Sequence, residues 1–253
     1  MALYSASGQL PAQLWIVRHG ESAGNVARDN ALRTGAPRID IRGRDVDVPL
    51  SELGERQAEA VGHWFAHHGH KADAVLASPY RRAVSTAQRM VEAGAVAKTF
   101  HEIALDERLR EKEFGLLDGL TRPGIEETYP DIAAYRTLLG KFYHRPPGGE
   151  SWCDVILRLR SLIDTLSLHY SGKRVLVVTH QVVVLCLRYL LEGLTEEQIL
   201  AIDSEGDVAN CAVTEYRCEN GKGLVLDRYN HVAPLTAEGA PVTAAPDKKA
   251  AGA

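Results

Sequence analysis

Cysteine is scarce and unpatterned in this chain. Cys153, Cys186, Cys211 and Cys218 include no C-x-x-C pair, so the usual zinc and redox spacings are missing. Cys186 lies in an apolar helical run, and the thiols read as reduced and mostly structural, in a cytosol-like compartment. No apolar stretch reaches the roughly 20 residues that a membrane span needs. Residues 1–13 have neither the basic start nor the sustained apolar core of a secretory signal. Positive charge is not in excess either. A formal net charge of −4 argues against a general nucleic-acid or membrane-surface binder, while leaving room for a local basic pocket. Internal repeats are absent. These absences together lead to the expectation of a cytoplasmic protein without nucleic-acid or membrane partners, its oligomeric state open and a homodimer possible.

What is present is ordinary in amount. At 253 residues there is room for one large α/β domain or two small ones, and a chain of this size buries about 70–75% of its unfolded surface without staples. Hydrophobic residues at 45% and charged residues at 25% fit a soluble globular protein.

Short apolar runs ending in turn residues mark the strands. Leu14-Trp15-Ile16-Val17 runs into Arg18-His19-Gly20, residues 72–77 run into Ser78-Pro79, and Arg174-Val-Leu-Val-Val-Thr179 runs into His180; residues 98–103 give a further candidate. Helical spacing fills the intervals. One helix follows the N-cap Ser51 to about His68, another runs from Tyr80 to about Ala93, and a third from Glu150 to about His169. Residues 181–191 are apolar enough for a buried helix, and short helices are predicted over 125–129 and 132–140. Residues 211–216 and 224–229 predict a hairpin. Residues 22–50, rich in Gly, Arg, Asp and Pro, read as a long functional loop, and residues 235–253 as a disordered tail. Strand–helix alternation predicts a single α/β domain over residues 1–234. The expected architecture is a three-layer sandwich with a mostly parallel central sheet, residues 103–149 forming an insertion over the strand C-terminal ends.

Ligands of open α/β sheets bind beyond the carboxyl ends of the strands. Two apolar strands here end in histidine, at His19 and His180, and adjacent parallel strands would bring both imidazoles to one rim. Arg18 precedes the first, and Arg82 comes from a helix that starts at a third strand tip. Two arginines and two histidines around one crevice suit an anion with several oxygens, above all a phosphoryl group.

At these residues a family resemblance emerges. Arg18-His19-Gly20-Glu21-Ser22-x-x-Asn25 resembles the signature of the histidine phosphatase (phosphoglycerate mutase-like) superfamily, and the family's other blocks follow in order. They are Asp47-x-Pro49-Leu50-Ser51-x-x-Gly54-x-x-Gln57-Ala58, Ser78-Pro79-Tyr80-Arg81-Arg82-Ala83-x-x-Thr86-Ala87, Leu109-Arg110-Glu111-x-x-Phe114-Gly115, Gly149-Glu150-Ser151 and Val177-Val178-Thr179-His180. The resemblance implies His19 as a nucleophile that forms a phosphohistidine. It implies Arg18, Arg82, His180 and Asn25 as holders of the phosphoryl oxygens, with Gly20, Ser22 and Gln181 beside them, and Glu111 as the acid and then the base. Because the family's arginine immediately precedes the alanine, the role falls to Arg82 and not Arg81.

The chemistry agrees with that assignment. An imidazole nucleophile must be neutral at its attacking nitrogen, so the other nitrogen should donate to a carbonyl or carboxylate. Arginines and a protonated His180 would stabilise charge on the equatorial oxygens. Glu111 must be protonated to serve an alkoxide leaving group, and the substrate's negative charge favours that. Cationic side chains supply the charge, so no metal and no cofactor is expected.

Other signals are set aside. Asp45-Val-Asp-Val lacks the preceding apolar strand of an aspartyl-phosphate motif, Ser171-Gly172-Lys173 lacks the upstream half of a P-loop, and His63, His67, His68 and His70 read as a solvated helix end. Mutases of the resembled family carry a long insertion before the Gly-Glu-Ser block, and the short interval from Phe114 to Gly148 looks more like its phosphatases. His180-Gln181-x-Val183-x-x-Cys186-Leu187 and Tyr143-x-Arg145-x-Pro147 resemble the fructose-2,6-bisphosphatase branch, which makes Tyr143 and Arg145 candidates for the substrate wall. That branch has a lysine where Gly148-Gly149 stands here. The leading expectation is a metal-independent phosphomonoesterase that takes a small phosphorylated metabolite and releases inorganic phosphate. A phosphoglycerate mutase and a non-catalytic phospholigand-binding module are the alternatives.

Overall fold

The structure, a computed structural model, describes residues 10–244. In chain order its elements are β1 (Gln13–Arg18), α1 (Ala23–Thr34), α2 (Glu52–His67), β2 (Ala74–Ala77), α3 (Arg81–Glu92), β3 (Ile103–Leu105), α4 (Arg122–Thr128), α5 (Pro130–Tyr143), α6 (Trp152–His169), β4 (Arg174–Thr179), α7 (Gln181–Glu192), α8 (Glu196–Glu205), β5 (Val213–Glu219), β6 (Gly223–His231) and α9 (Ala233–Ala237). The strands form one sheet in the order β3-β2-β4-β1-β5-β6. The first four are mutually parallel, and β5 and β6 close the sheet as an antiparallel hairpin.

Both faces of the sheet are covered, which is why β1 and β4 are unbroken apolar runs. Side chains alternate across a strand. Leu14 and Ile16 therefore join Trp152, Leu159, Ile163 and Val184 of α6 and α7, while Trp15 and Val17 join Val61, Phe65, Ala83 and Met90 of α2 and α3. This is the expected α/β sandwich. No helix among the described residues is long and apolar enough to cross a membrane.

Strand register places the site. Arg18 at the end of β1 pairs with Thr179 at the end of β4, and the His19 N–H donates to the Thr179 carbonyl at 2.8 Å. His19 and His180 therefore emerge side by side. β2 lies on the other side of β4, and its Ser78 donates its N–H to Val178 at 3.0 Å.

Four expectations need correction. The predicted loop 22–50 contains α1, nucleated by a capping box: Ser22 Oγ accepts the Asn25 N–H, and the Asn25 side chain accepts the Ser22 N–H. Gly35, at φ 69°, ends the helix in a left-handed cap. The third strand is Ile103–Leu105 rather than 98–103, since residues 98–99 form a turn. The excursion over the strand ends accordingly begins after β3, at Asp106, where the backbone N–H still bonds Ala77. Lastly, the expected tail is ordered as far as residue 244. Leu235 of α9 is fully buried against the α2 and α3 face, and Thr243 takes part in hydrogen bonds described below. Its low-complexity composition hid these few anchoring contacts. Residues 245–253 of that tail, and residues 1–9 of the segment read as lacking a signal, lie outside the described residues.

Candidate active site

The β1 end supplies Arg18 and His19, both buried. His19 Nδ1 lies 2.7 Å from the Gly20 carbonyl oxygen, an acceptor that places the proton on Nδ1 and leaves Nε2 with its lone pair. Burial, reinforced by Arg82 and Arg18, holds the imidazole well below its ordinary pKa, so it is neutral and nucleophilic. Backbone contacts fix the loop. The Gly20 N–H donates to Thr86 Oγ1 at 3.0 Å, the Glu21 N–H to Gln57 Oε1 at 2.9 Å, and Asn210 Nδ2 to the His19 carbonyl at 3.1 Å.

Two glycines make room for that loop. A Cβ on Gly54 would lie 1.9 Å from the Glu21 carbonyl oxygen, and one on Gly20 would lie 2.5 Å from the Gly54 oxygen. Both obstacles are backbone and cannot swing aside. Gly54→Ala is therefore expected to cost about 1–3 kcal/mol of stability, as overpacking does, and to lower kcat about 10- to 100-fold by displacing the nucleophile. Thermal melts and steady-state rates on the same preparation check both.

The β4 end supplies His180, fully buried with its ring centroid 5.0 Å from that of His19. Its Nε2 is 2.8 Å from Ser78 Oγ, while Nδ1 is buried without a hydrogen-bond partner. Ser78 Oγ also receives the Tyr80 N–H at 3.3 Å; with the hydroxyl proton turned toward His180 Nε2, the imidazole proton sits on Nδ1. Burial, followed by Arg82, His19 and Arg18, depresses the His180 pKa well below the ordinary value. In the unliganded protein burial therefore favours a neutral His180; the expectation of a protonated one concerns the phosphoryl-bound site.

Arg82 enters from the first turn of α3 and is buried. Its Nε donates to His19 Nε2 at 3.2 Å, and its Nη atoms engage Asp45. Arg18 is anchored by the Val208 carbonyl. Asp207 and Glu111 lie close enough to support its charge against burial, and Gln181 Nε2 donates to Asp207 Oδ1 at 2.7 Å. Gln181 thereby acts on the arginine's surroundings.

Glu111 comes from the excursion after β3. Burial raises its pKa, outweighing the Lys112 N–H (2.8 Å from Oε1), Arg82 and Arg18, which lower it. Its loop is fixed by a residue that the sequence reading missed. Arg158, on the buried face of α6, donates to the Arg110 carbonyl at 2.8 Å and the Glu111 carbonyl at 3.3 Å, and pairs with Glu150 at 3.0 Å. Glu150 also receives Arg110 Nη2 at 2.7 Å and the Glu113 N–H at 3.1 Å. The glutamate of the Gly-Glu-Ser block is thus a clamp for the Glu111 loop, and Ser151 beside it caps α6. An arginine within an apolar helical stripe was the available signal. Lys112, also overlooked, is buried with its Nζ 4.5 Å from the Phe114 ring centroid, and burial lowers its pKa to about 8.

Four of the expected phosphate or substrate contacts are engaged elsewhere. Ser22 and Asn25 cap α1, with Asn25 Oδ1 also receiving Asn210 Nδ2 at 3.3 Å. Arg145 is exposed and donates to Asp154 Oδ2 at 2.7 Å, and exposed Tyr143 hydrogen-bonds Glu196 of α8. The structure brings neither Tyr143 nor Arg145 to the His19 cluster. Among the described residues, no group of three or more His, Cys, Asp and Glu side chains is disposed to hold a metal.

The site so assembled offers one neutral imidazole with its Nε2 lone pair facing Arg82, two buried guanidinium groups, a second buried imidazole and one carboxyl group with a raised pKa. Comparison with known proteins bears on it directly. A family model described as "Histidine phosphatase superfamily (branch 1)" matches residues 14–231. A 2,3-bisphosphoglycerate-dependent phosphoglycerate mutase of Rhizobium meliloti is 34% identical over 193 residues, 75% of this chain and 84% of the mutase. A bifunctional protein of Mycobacterium tuberculosis is 34% identical over 170 residues, 67% of this chain, and the match spans only 41% of that longer protein. Among solved structures, a mycobacterial glucosyl-3-phosphoglycerate phosphatase in complex with VO3 superimposes with a TM-score of 0.66 at 26% identity, covering 87% of this chain and 99% of its own.

Proposed function

Because the chain belongs to the histidine phosphatase superfamily, a superfamily of phosphoryl-transfer enzymes, we propose that it is a metal-independent phosphomonoesterase acting on a small phosphorylated metabolite. The observation that carries the reading is the tautomer of His19: Nδ1 is held by the Gly20 carbonyl, and Nε2 faces Arg82 with its lone pair. His19 Nε2 attacks phosphorus as the ester P–O bond breaks, and Glu111 gives its proton to the departing alkoxide. Water then attacks the phosphohistidine, Glu111 takes a proton from it, the P–N bond breaks, and inorganic phosphate leaves. Arg18, Arg82 and the Nδ1–H of His180 stabilise the equatorial oxygens throughout. The rest of the substrate lies toward Glu111 and Lys112, where the buried ammonium favours a leaving group with an anionic or hydroxyl-rich end. The phosphatase reading draws support from the mycobacterial phosphatase described above, also solved with inorganic phosphate, and from the short interval between the Glu111 and Gly-Glu-Ser blocks.

A second reading, phosphoglycerate mutase, is favoured by the 34% identity to a mutase of that name. The two separate cleanly in one assay. Chelator-treated protein offered sugar phosphates, bisphosphates and phosphoglycerates is expected to release phosphate at a rate within about twofold of that with added magnesium, since charge comes from side chains. Phosphoglycerate isomers interconverting faster than phosphate appears would select the mutase, and an inert protein rescued by magnesium would overturn the mechanism.

A further inference from the structure

Among the described residues, Asp45 is the acidic side chain hydrogen-bonded to Arg82, and its contacts are more than a passing ion pair. In a short 3-10 turn (Asp45–Asp47), its Oδ1 receives Arg82 Nη1 at 2.9 Å and its Oδ2 receives Nη2 at 3.0 Å, while its carbonyl receives Nη1 at 2.7 Å. The third nitrogen of the same guanidinium, Nε, donates to His19 Nε2 at 3.2 Å. The unliganded Arg82 therefore has all three nitrogens engaged. It covers the lone pair of the nucleophile with one and holds a carboxylate with the other two.

The two partners differ in their freedom to leave. The Arg82 side chain is 6% exposed and the Asp45 side chain 42% exposed, so the carboxylate can withdraw into water at little desolvation cost, whereas the guanidinium cannot. The segment bearing Asp45 is braced within its own turn, where exposed Arg44 pairs with Asp47 at 2.7 Å. Its turn is closed by Asp47 N–H to Arg44 O at 3.0 Å and Val48 N–H to Asp45 O at 3.3 Å, and residues 42–44 are exposed. Gly43, at φ 93°, provides a joint immediately upstream. A carboxylate that only orients an arginine leaves outward N–H groups free for the ligand. Asp45 instead occupies the bidentate edge that a phosphoryl group would use.

We propose that Asp45 is a built-in competitor for the phosphoryl site: it latches Arg82 over the attacking nitrogen of His19 until a dianionic phosphoryl group displaces it. The inference rests on the assignment of Arg82 to phosphate, and it makes Asp45 a determinant of specificity. A ligand must outcompete a carboxylate for the same fork, which favours dianionic monoesters over monoanionic diesters or carboxylates. Apparent affinity falls by the fraction of time the fork is free.

Titration calorimetry of the full chain with inorganic phosphate tests it. Asp45→Asn is expected to tighten phosphate binding about tenfold, the gain for a latch closed about nine-tenths of the time. Asp118→Asn controls for charge at a distance, because Asp118 lies in the field of Asp45 and Arg82 and uses its side chain to receive the Gly119 N–H; it should change affinity less than about twofold. Unchanged or weakened binding in Asp45→Asn would overturn the latch and make Asp45 an orienting residue. Equal tightening in both variants would also overturn it, reducing the effect to net charge. Asp45→Ser repeats the measurement should Asp45→Asn melt early. Wild-type protein with no affinity for phosphate would instead strike the assignment of the phosphoryl site itself, and the latch with it.

Discussion

Phosphate release by His19→Ala is expected to fall at least about 10⁴-fold, to the level left by the binding groups alone, because a step carried by a covalent intermediate has no substitute once its nucleophile is removed. Nothing nearby can take over. His180, 5.0 Å away by ring centroid, has its Nε2 engaged with Ser78 Oγ at 2.8 Å. Burial raises the Glu111 pKa, which suits an acid better than a nucleophile. Quenching wild-type enzyme during turnover of a labelled ester should trap one equivalent of acid-labile phosphate, and His19→Ala should trap none. Retention of more than about 1% of activity in His19→Ala, or label recovered on His180, would refute the assignment.

Glu111→Gln should be nearly as damaging, but selectively. Glutamine keeps the size and the acceptor for the Lys112 N–H while removing the proton, so kcat on alkyl phosphates should fall about 10²- to 10⁴-fold. An aryl ester whose leaving group needs no proton should phosphorylate His19 at close to the wild-type rate. Because water attack still lacks its base, the aryl alcohol would then appear in a burst of one equivalent followed by slow turnover. The pH profile adds a signed test. Activity requires protonated Glu111 and neutral His19. The raised Glu111 pKa extends the active window upward before the alkaline limb, and the lowered His19 pKa moves the acid limb down. Glu111→Gln should therefore lose the alkaline limb and keep the acid one. Equal damage to alkyl and aryl esters with an unchanged profile would remove Glu111 from the role.

Much of this was legible in residue order because strands carry their meaning locally. An apolar run ending in Arg18-His19 and another ending in Thr179-His180 needed only parallel pairing, which the sheet supplies in register, to place two imidazoles together. A first helical turn at a third strand end pointed to Arg81 and Arg82, and the resemblance, whose arginine precedes the alanine, selected Arg82. What stayed hidden depends on partners remote in the chain. The Asp45 fork on Arg82, the Arg158–Glu150 clamp on the Glu111 loop and the seat of Leu235 have no periodic signature, since each is fixed by how loops approach in space. Tyr143 and Arg145 show the converse. Their motif was recognisable, but Glu196 and Asp154, which engage them, come from α8 and α6.

The support of the nucleophile has a consequence for how the protein comes to be active on the ribosome. β1 is synthesised well before the groups that brace its last residues. The Cys211 N–H donates to the Arg18 carbonyl at 3.0 Å and Asn210 Nδ2 to the His19 carbonyl. Thr243 in turn accepts the Asn210 N–H at 2.8 Å through its carbonyl and Gln57 Nε2 at 2.8 Å through its hydroxyl. A nascent chain that has passed His180 already holds His19, Arg18, Arg82, Glu111 and His180, and still lacks the frame that aims them. Contacts of such sequence separation form late and slow folding. Aiming of these groups therefore waits for β5, β6 and the chain as far as Thr243.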